Sequence, residues 1–143
     1  MSGIWKEIVA QWRGGMGFIG TNPAGVQVQI GTVDGQPGIG PMEMLLFGLA
    51  GCTGMDIVSI LEKKREKLID FQVKVRGKRA EDYPMVYTDI EVAYHLWGED
   101  LDPKAVETAI RLSEEKYCSV SIMLGASARI TTSYTIYAPE KAG

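Results

Sequence analysis

Pro41-Met42-Glu43-Met44-Leu45-Leu46-Phe47-Gly48-Leu49-Ala50-Gly51-Cys52-Thr53-Gly54-Met55-Asp56 is the segment on which the fold turns. Pro41 suits the first position of a helix, where its missing N–H leaves no bond unmade. The pattern predicts a helix from Pro41 to about Leu68, ending in Glu62-Lys63-Lys64-Arg65-Glu66-Lys67, whose net positive charge complements the helix dipole. Leu45, Leu49, Cys52 and Met55 fall on one side of the helical wheel, and Phe47, Ala50, Val58 and Leu61 on the other. A helix apolar all round is expected to be central and packed on every side. Gly48, Gly51 and Gly54 each cost about 1 kcal/mol against Ala, which is accounted for if another backbone comes close there. The most apolar stretch, Met44 to Met55, is 12 residues between Glu43 and Asp56. A membrane span needs about 20, so the run reads as a buried helix.

Before this helix, Ile4–Trp12, Met16–Gly20 and Val26–Ile30 read as strands, the last alternating with period two. Asn22-Pro23-Ala24-Gly25 is a turn signal. Gly31–Gly40, with four glycines, reads as a mobile loop and a candidate gate. After the helix come strands at Phe71–Arg79 and Val86–Trp97. A second helix is capped by Asp102 with Pro103 at its first turn and runs to about Lys116. The last strand is Ala128–Tyr137. The order βββ-α-ββ-α-β indicates an α+β fold, with antiparallel sheets and a long central helix in a single domain over 1–143.

A chain of 143 residues can bury a core without staples, and two cysteines exclude a disulfide scaffold. A net charge of −3 with no basic block in the first sixty residues argues against nucleic-acid binding. Lys6, Glu7, Arg13, Asp34 and Glu43 are the only charges in the first 55 residues, so that half is expected to be buried, in its own core or against a partner chain. With no signal-like start and no membrane span, the expected compartment is the cytoplasm, where paired thiols are reduced, metal-bound or catalytic.

Cys52 and Cys118 are therefore the residues to explain. Cys52 sits among small residues in the apolar helix, whereas Cys118 follows a charged helix end and is expected nearer solvent. One buried and one more accessible thiol is the layout of a peroxidatic and resolving pair; two inert core cysteines are the alternative. Asp56, at i+4, shares the helix face of Cys52, where an ionised carboxylate would raise the thiol pKa. Arg129 or Arg13 is a candidate partner for it. Cys52, Cys118, His95 and Asp56 could in principle supply zinc ligands, but no short ligand spacing supports this, and neither a metal nor a cofactor is expected.

The run from Pro41 to Thr53, followed by Tyr117-Cys118-Ser119-Val120-Ser121, resembles the OsmC/Ohr family of osmotically induced and organic-hydroperoxide-resistance proteins. Ala50-Gly51-Cys52-Thr53, with Asp56 beyond it, looks more like the less characterised OsmC-like branch. The resemblance implies an intertwined homodimer and a thiol peroxidase. Cys52 would attack an organic hydroperoxide, Cys118 would close a disulfide with it, and a dithiol would reopen that bond. The family pattern adds an arginine from the first strands and a glutamate ten residues before the first cysteine. Met16 and Met42 stand at those places here, which leaves Arg13 and Glu43 as the candidates. In a continuous helix Glu43 and Cys52 point to opposite sides. The alternative function is an OsmC-like binding or redox-sensing protein without fast turnover.

Overall fold

The structure, a computed structural model, describes residues 3–140. Two compact units divide the chain, one up to residue 45 and one from residue 46 onward.

In the first unit, β1 (Val9–Trp12), β2 (Phe18–Thr21) and β3 (Gln27–Ile30) form an antiparallel sheet in sequence order. The Gly31–Gly40 stretch is not the structureless loop expected. It folds into a short hairpin of β4 (Thr32–Val33) and β5 (Gln36–Pro37). Gln29 Nε2 donates to the carbonyls of Gly31 and Gln36 at 3.0 and 2.6 Å, so one amide side chain supplies the hairpin's missing partners. Trp5, Trp12, Met16 and Val26 are exposed within the single chain. The charge-poor half thus does not form a core of its own.

The long helix, α1, covers Pro41–Lys63 and stops short of the expected Leu68. Arg65 adopts a left-handed backbone (φ 59°), and Arg65 and Glu66 N–H donate to the carbonyls of Glu62 and Leu61. This is a Schellman closure with arginine in the position glycine usually takes. At the other end Glu43 reaches back to the Gly40 N–H at 2.8 Å, as a third-position glutamate does in a capping box.

Within the chain α1 is buried on one face only. Leu49, Thr53, Ile57 and Leu61, spaced by four, are covered, while Phe47 and Met55 are exposed. The expectation of packing on every side fails for the single chain. The glycines likewise meet no neighbouring backbone: Gly48 and Gly54 face the side chains of Val120 and Val73, and nothing lies within 4 Å of a Cβ at Gly51. By length and composition alone α1 could cross a membrane. Its middle, however, carries polar groups engaged in buried hydrogen bonds.

The second unit contains a three-stranded sheet of β6 (Lys67–Arg79), β7 (Tyr87–Glu99) and β8 (Arg129–Tyr137), in that order. β6 and β7 are antiparallel, as expected. β8 runs parallel to β7, pairing Tyr94 with Tyr134, so the sheet is mixed rather than antiparallel. The reason lies in the connection. Parallel strands need a crossover of a dozen or more residues, here supplied by helices between Glu99 and Arg129. The first, α2 (Pro103–Leu112), begins as expected, with Asp102 Oδ1 accepting from Lys104 N–H at 3.0 Å. It does not continue to Lys116 as an α-helix. Ser113–Tyr117 widens into a π-helical turn, closed by the Cys118 N–H on the Ser113 carbonyl at 2.7 Å, and α3 (Ser119–Gly125) follows.

The core joins Leu49, Ile57 and Leu61 of α1, Ile90, Val92, Tyr94 and Leu96 of β7, and Val106, Ala109 and Ile110 of α2. Helices and sheet pack together in an α+β architecture. Gly98, near the β6–β7 bulge, is one close approach: an added Cβ would stand 2.5 Å from the Lys67 carbonyl oxygen and 2.6 Å from Leu101 Cγ. Because one obstacle is backbone, Gly98→Ala is expected to destabilise the protein by about 1–3 kcal/mol. A denaturant midpoint unchanged from the parent would contradict this packing.

Candidate functional site

The site is built where α1 passes the π-helical turn. Cys52 and Asp56 lie one helical turn apart on α1, and Cys118 ends the turn and caps α3. Cys52 Sγ, Cys118 Sγ and an Asp56 carboxylate oxygen all lie within 4.8 Å of one another. Both cysteines are free thiols. Three of the five residues singled out in the sequence thus come together. Arg13 and Glu43 belong to the other unit, where Glu43 caps the start of α1.

The addresses of the two thiols are the reverse of those expected. Cys118 is fully buried and Cys52 is half-buried. The widened turn explains this, since it carries Cys118 inward instead of leaving it on the charged helix end. Cys118 Sγ accepts the Ser121 N–H at 3.3 Å. Burial, followed by its hydrogen bond to Cys52, pushes the Cys118 thiol up to about 12, so it is a neutral S–H at pH 7.

The partner of Asp56 is also not the one expected. Arg129 does not fill the role; Ser113 Oγ donates to Asp56 Oδ2 at 2.9 Å. Ser113 Oγ lies 2.9 Å from Thr53 Oγ1, which lies 2.7 Å from the Tyr94 hydroxyl. An ionised carboxylate can only accept, and each hydroxyl has one proton to give. The chain therefore has a direction: Tyr94 donates to Thr53, Thr53 to Ser113, and Ser113 to Asp56. Burial raises the Tyr94 hydroxyl to about 12, which keeps it a donor. Thr53, Ser113, Tyr94 and Ser121 were not singled out from the sequence. The available hint was Thr53, a hydroxyl next to the cysteine in an otherwise apolar run.

His95 is not part of this cluster. It alternates with the buried Tyr94 and Leu96, and its Nδ1 is 2.8 Å from the Tyr137 hydroxyl.

A family described as OsmC-like protein matches residues 33–133. The chain belongs to the OsmC-like family. It is 39% identical over 128 residues to protein YhfA of Escherichia coli K12, covering 90% of this chain and 96% of that one. The crystal structure of a hypothetical protein from Aquifex aeolicus VF5 is similar in sequence (34%) and shape (TM-score 0.86), over 96% of this chain and 99% of that one. The organic hydroperoxide resistance protein OhrB of Bacillus subtilis shares the fold at a TM-score of 0.63 and 18% identity, over 92% of this chain and 98% of that one. The juxtaposed thiols of this OsmC-like chain agree with a thiol-based redox architecture.

Three outcomes follow from this arrangement. Thr53→Val keeps the side-chain shape but breaks the hydroxyl chain, and is expected to destabilise the fold by about 1–3 kcal/mol in denaturant unfolding. At pH 7–8 an alkylating reagent should modify Cys52 well ahead of Cys118, read by peptide mass mapping; equal labelling of the folded protein would contradict the assignment. For an acid whose folded pKa is raised, stability is complete below the unfolded pKa and lost as pH climbs toward the folded one. The contribution of Cys118 should therefore fall between about pH 9 and 12, making the parent lose stability faster than Cys118→Ser over that range.

Proposed function

We propose that the protein is a cysteine-dependent peroxidase acting on organic hydroperoxides, and the observation that carries this is the Cys52–Cys118 juxtaposition. A disulfide needs sulfurs about 2.0 Å apart, and the two are close enough for a side-chain rotation to approach that contact. The half-buried Cys52 is the thiol a substrate can reach, and the buried Cys118 is held against it as a proton-bearing partner.

In the proposed cycle the Cys52 thiolate attacks the O–O bond. One oxygen is retained as a sulfenic acid, and the other leaves as an alcohol after taking a proton from solvent. The Cys118 sulfur then displaces water from the sulfenic acid, forming the disulfide. A dithiol restores both thiols while itself becoming a disulfide. Asp56 places a carboxylate oxygen within 4.8 Å of both sulfurs and could take the Cys118 proton in the second step. Arg13 is the candidate cation for the Cys52 thiolate, with Glu43 as its holder. The name and fold of OhrB support the substrate class, at the level of fold only.

The reading extends to a homodimer of single-domain chains in the cytoplasm, with no nucleic-acid or membrane partner. The exposed apolar side chains of α1 and of the first unit support the dimer, since large apolar areas left open by one chain are suited to a second copy.

A second reading, an OsmC-like redox sensor or binding protein without fast turnover, is favoured by one observation. The Glu43 carboxylate is already used by the Gly40 N–H. Consumption of cumene hydroperoxide with dithiothreitol separates the two. The peroxidase shows saturable turnover that Cys52→Ser abolishes, while Cys118→Ser lets a dimedone adduct accumulate on Cys52. A rate no better than that of a small free thiol supports the sensor, and turnover surviving Cys52→Ser excludes the proposed mechanism.

A further inference from the structure

We infer that Cys52, Asp56 and Cys118 also form a binding site for a thiophilic divalent cation of the zinc type, with the fourth position left to water or a small exogenous ligand. Two sulfurs and a carboxylate oxygen are a donor set that tetrahedral zinc takes. They converge within 4.8 Å of one another. Zinc–sulfur bonds of about 2.3 Å and zinc–oxygen bonds near 2.1 Å place donors roughly 3.6–3.8 Å apart, so closing on an ion asks for a contraction of at most about an ångström. Cys52 and Asp56, at i and i+4 on α1, supply two donors from one rigid turn.

The support around the donors is what separates this trio from a chance cluster. Metal-binding side chains are oriented by outer hydrogen bonds that fix their direction and electronic character. Asp56 is oriented by Ser113 through Oδ2, at the end of the buried Tyr94–Thr53–Ser113 chain. Cys118 Sγ accepts the Ser121 N–H, the kind of contact that stabilises a metal-bound thiolate. A cavity of about 360 Å³, lined by Asp56, Tyr117, Lys63 and Lys64 among others, opens beside the carboxylate. On binding, each thiol releases its proton to solvent. Two thiolates and a carboxylate around a divalent ion leave one net negative charge, and Lys63 and Lys64 line the cavity beside Asp56.

Both sulfurs serve the ion, so metal binding and Cys52–Cys118 disulfide formation exclude one another. The inference does not rest on peroxide turnover, because a chain inactive toward hydroperoxides can still bind the ion.

The test uses the full, reduced chain with Zn²⁺ competed against a chromophoric chelator, and with Co²⁺ as a spectroscopic substitute. The expected result is one ion per chain and a cobalt spectrum with sulfur-to-metal charge transfer and intense tetrahedral bands. Cys52→Ser should remove the charge-transfer signature of the two-thiolate site. Asp56→Asn should weaken Zn²⁺ at least tenfold, and Ser113→Ala by about 10–100-fold. Oxidation to the disulfide, which requires no substitution, should abolish binding. Overturning results are a cobalt spectrum without sulfur charge transfer, affinity unchanged in Asp56→Asn, or binding that survives oxidation.

Discussion

The buried hydroxyl chain from Tyr94 through Thr53 and Ser113 to Asp56 ties together the elements that build the site. It connects the central strand β7, the long helix α1 and the π-helical turn after α2 with three hydrogen bonds of 2.7–2.9 Å. Thr53, Ser113 and Tyr94 are each at most 2% exposed, so water is not available to replace a missing partner. Buried polar groups of this kind are costly when any member is unmatched and specific when all are matched. A slip of α1 by one residue would place Cys52 or Gly54 where Thr53 must be, and the chain would break. The hydroxyls therefore set the register of the helix that carries Cys52 and Asp56.

The same chain explains why Cys118 is where it is. Ser113 is both a link in the hydroxyl chain and the residue whose carbonyl accepts the Cys118 N–H. An α-helical continuation would have paired that carbonyl with Tyr117 instead; the π spacing inserts one further residue before closure. One residue more turns Cys118 into the interior, beside Cys52. Position and protonation are then coupled, because the burial that brings the sulfur close also holds its proton.

Much of the architecture was legible because it follows from local pattern. The period-two strands, the Pro41 and Asp102–Pro103 starts and the apolar α1 run each have a near-neighbour cause. The misjudged features have causes distant in sequence or hidden in backbone geometry. Whether β8 runs parallel or antiparallel to β7 depends on how the intervening helices cross. The inversion of the two thiol addresses depends on a single widened turn, which the charged residues Glu114, Glu115 and Lys116 concealed by reading as an ordinary exposed helix end. A carboxylate away from water suggests a countercharge, which points to an arginine as the partner of Asp56. A serine with a relay of hydroxyls behind it satisfies the same need. One-sided burial of α1 is a different case: an all-apolar wheel says that every face avoids water, but not which chain covers it.

The site's chemistry can be argued from its asymmetry. Two thiols of equal exposure and equal acidity would be interchangeable, and nothing would decide which one meets an oxidant. Here Cys52 has access, and Cys118 has neither access nor an easily lost proton. Asp56 stands within reach of both sulfurs but is held by Ser113, so its carboxylate is fixed in place. A fixed carboxylate beside a thiol opposes thiolate formation unless a positive charge offsets it. That charge can come from an arginine, which would favour rapid attack on peroxides, or from a metal ion, which would favour a closed and protected pair. The same three side chains can therefore serve redox chemistry or cation binding, and the source of the compensating positive charge decides between them.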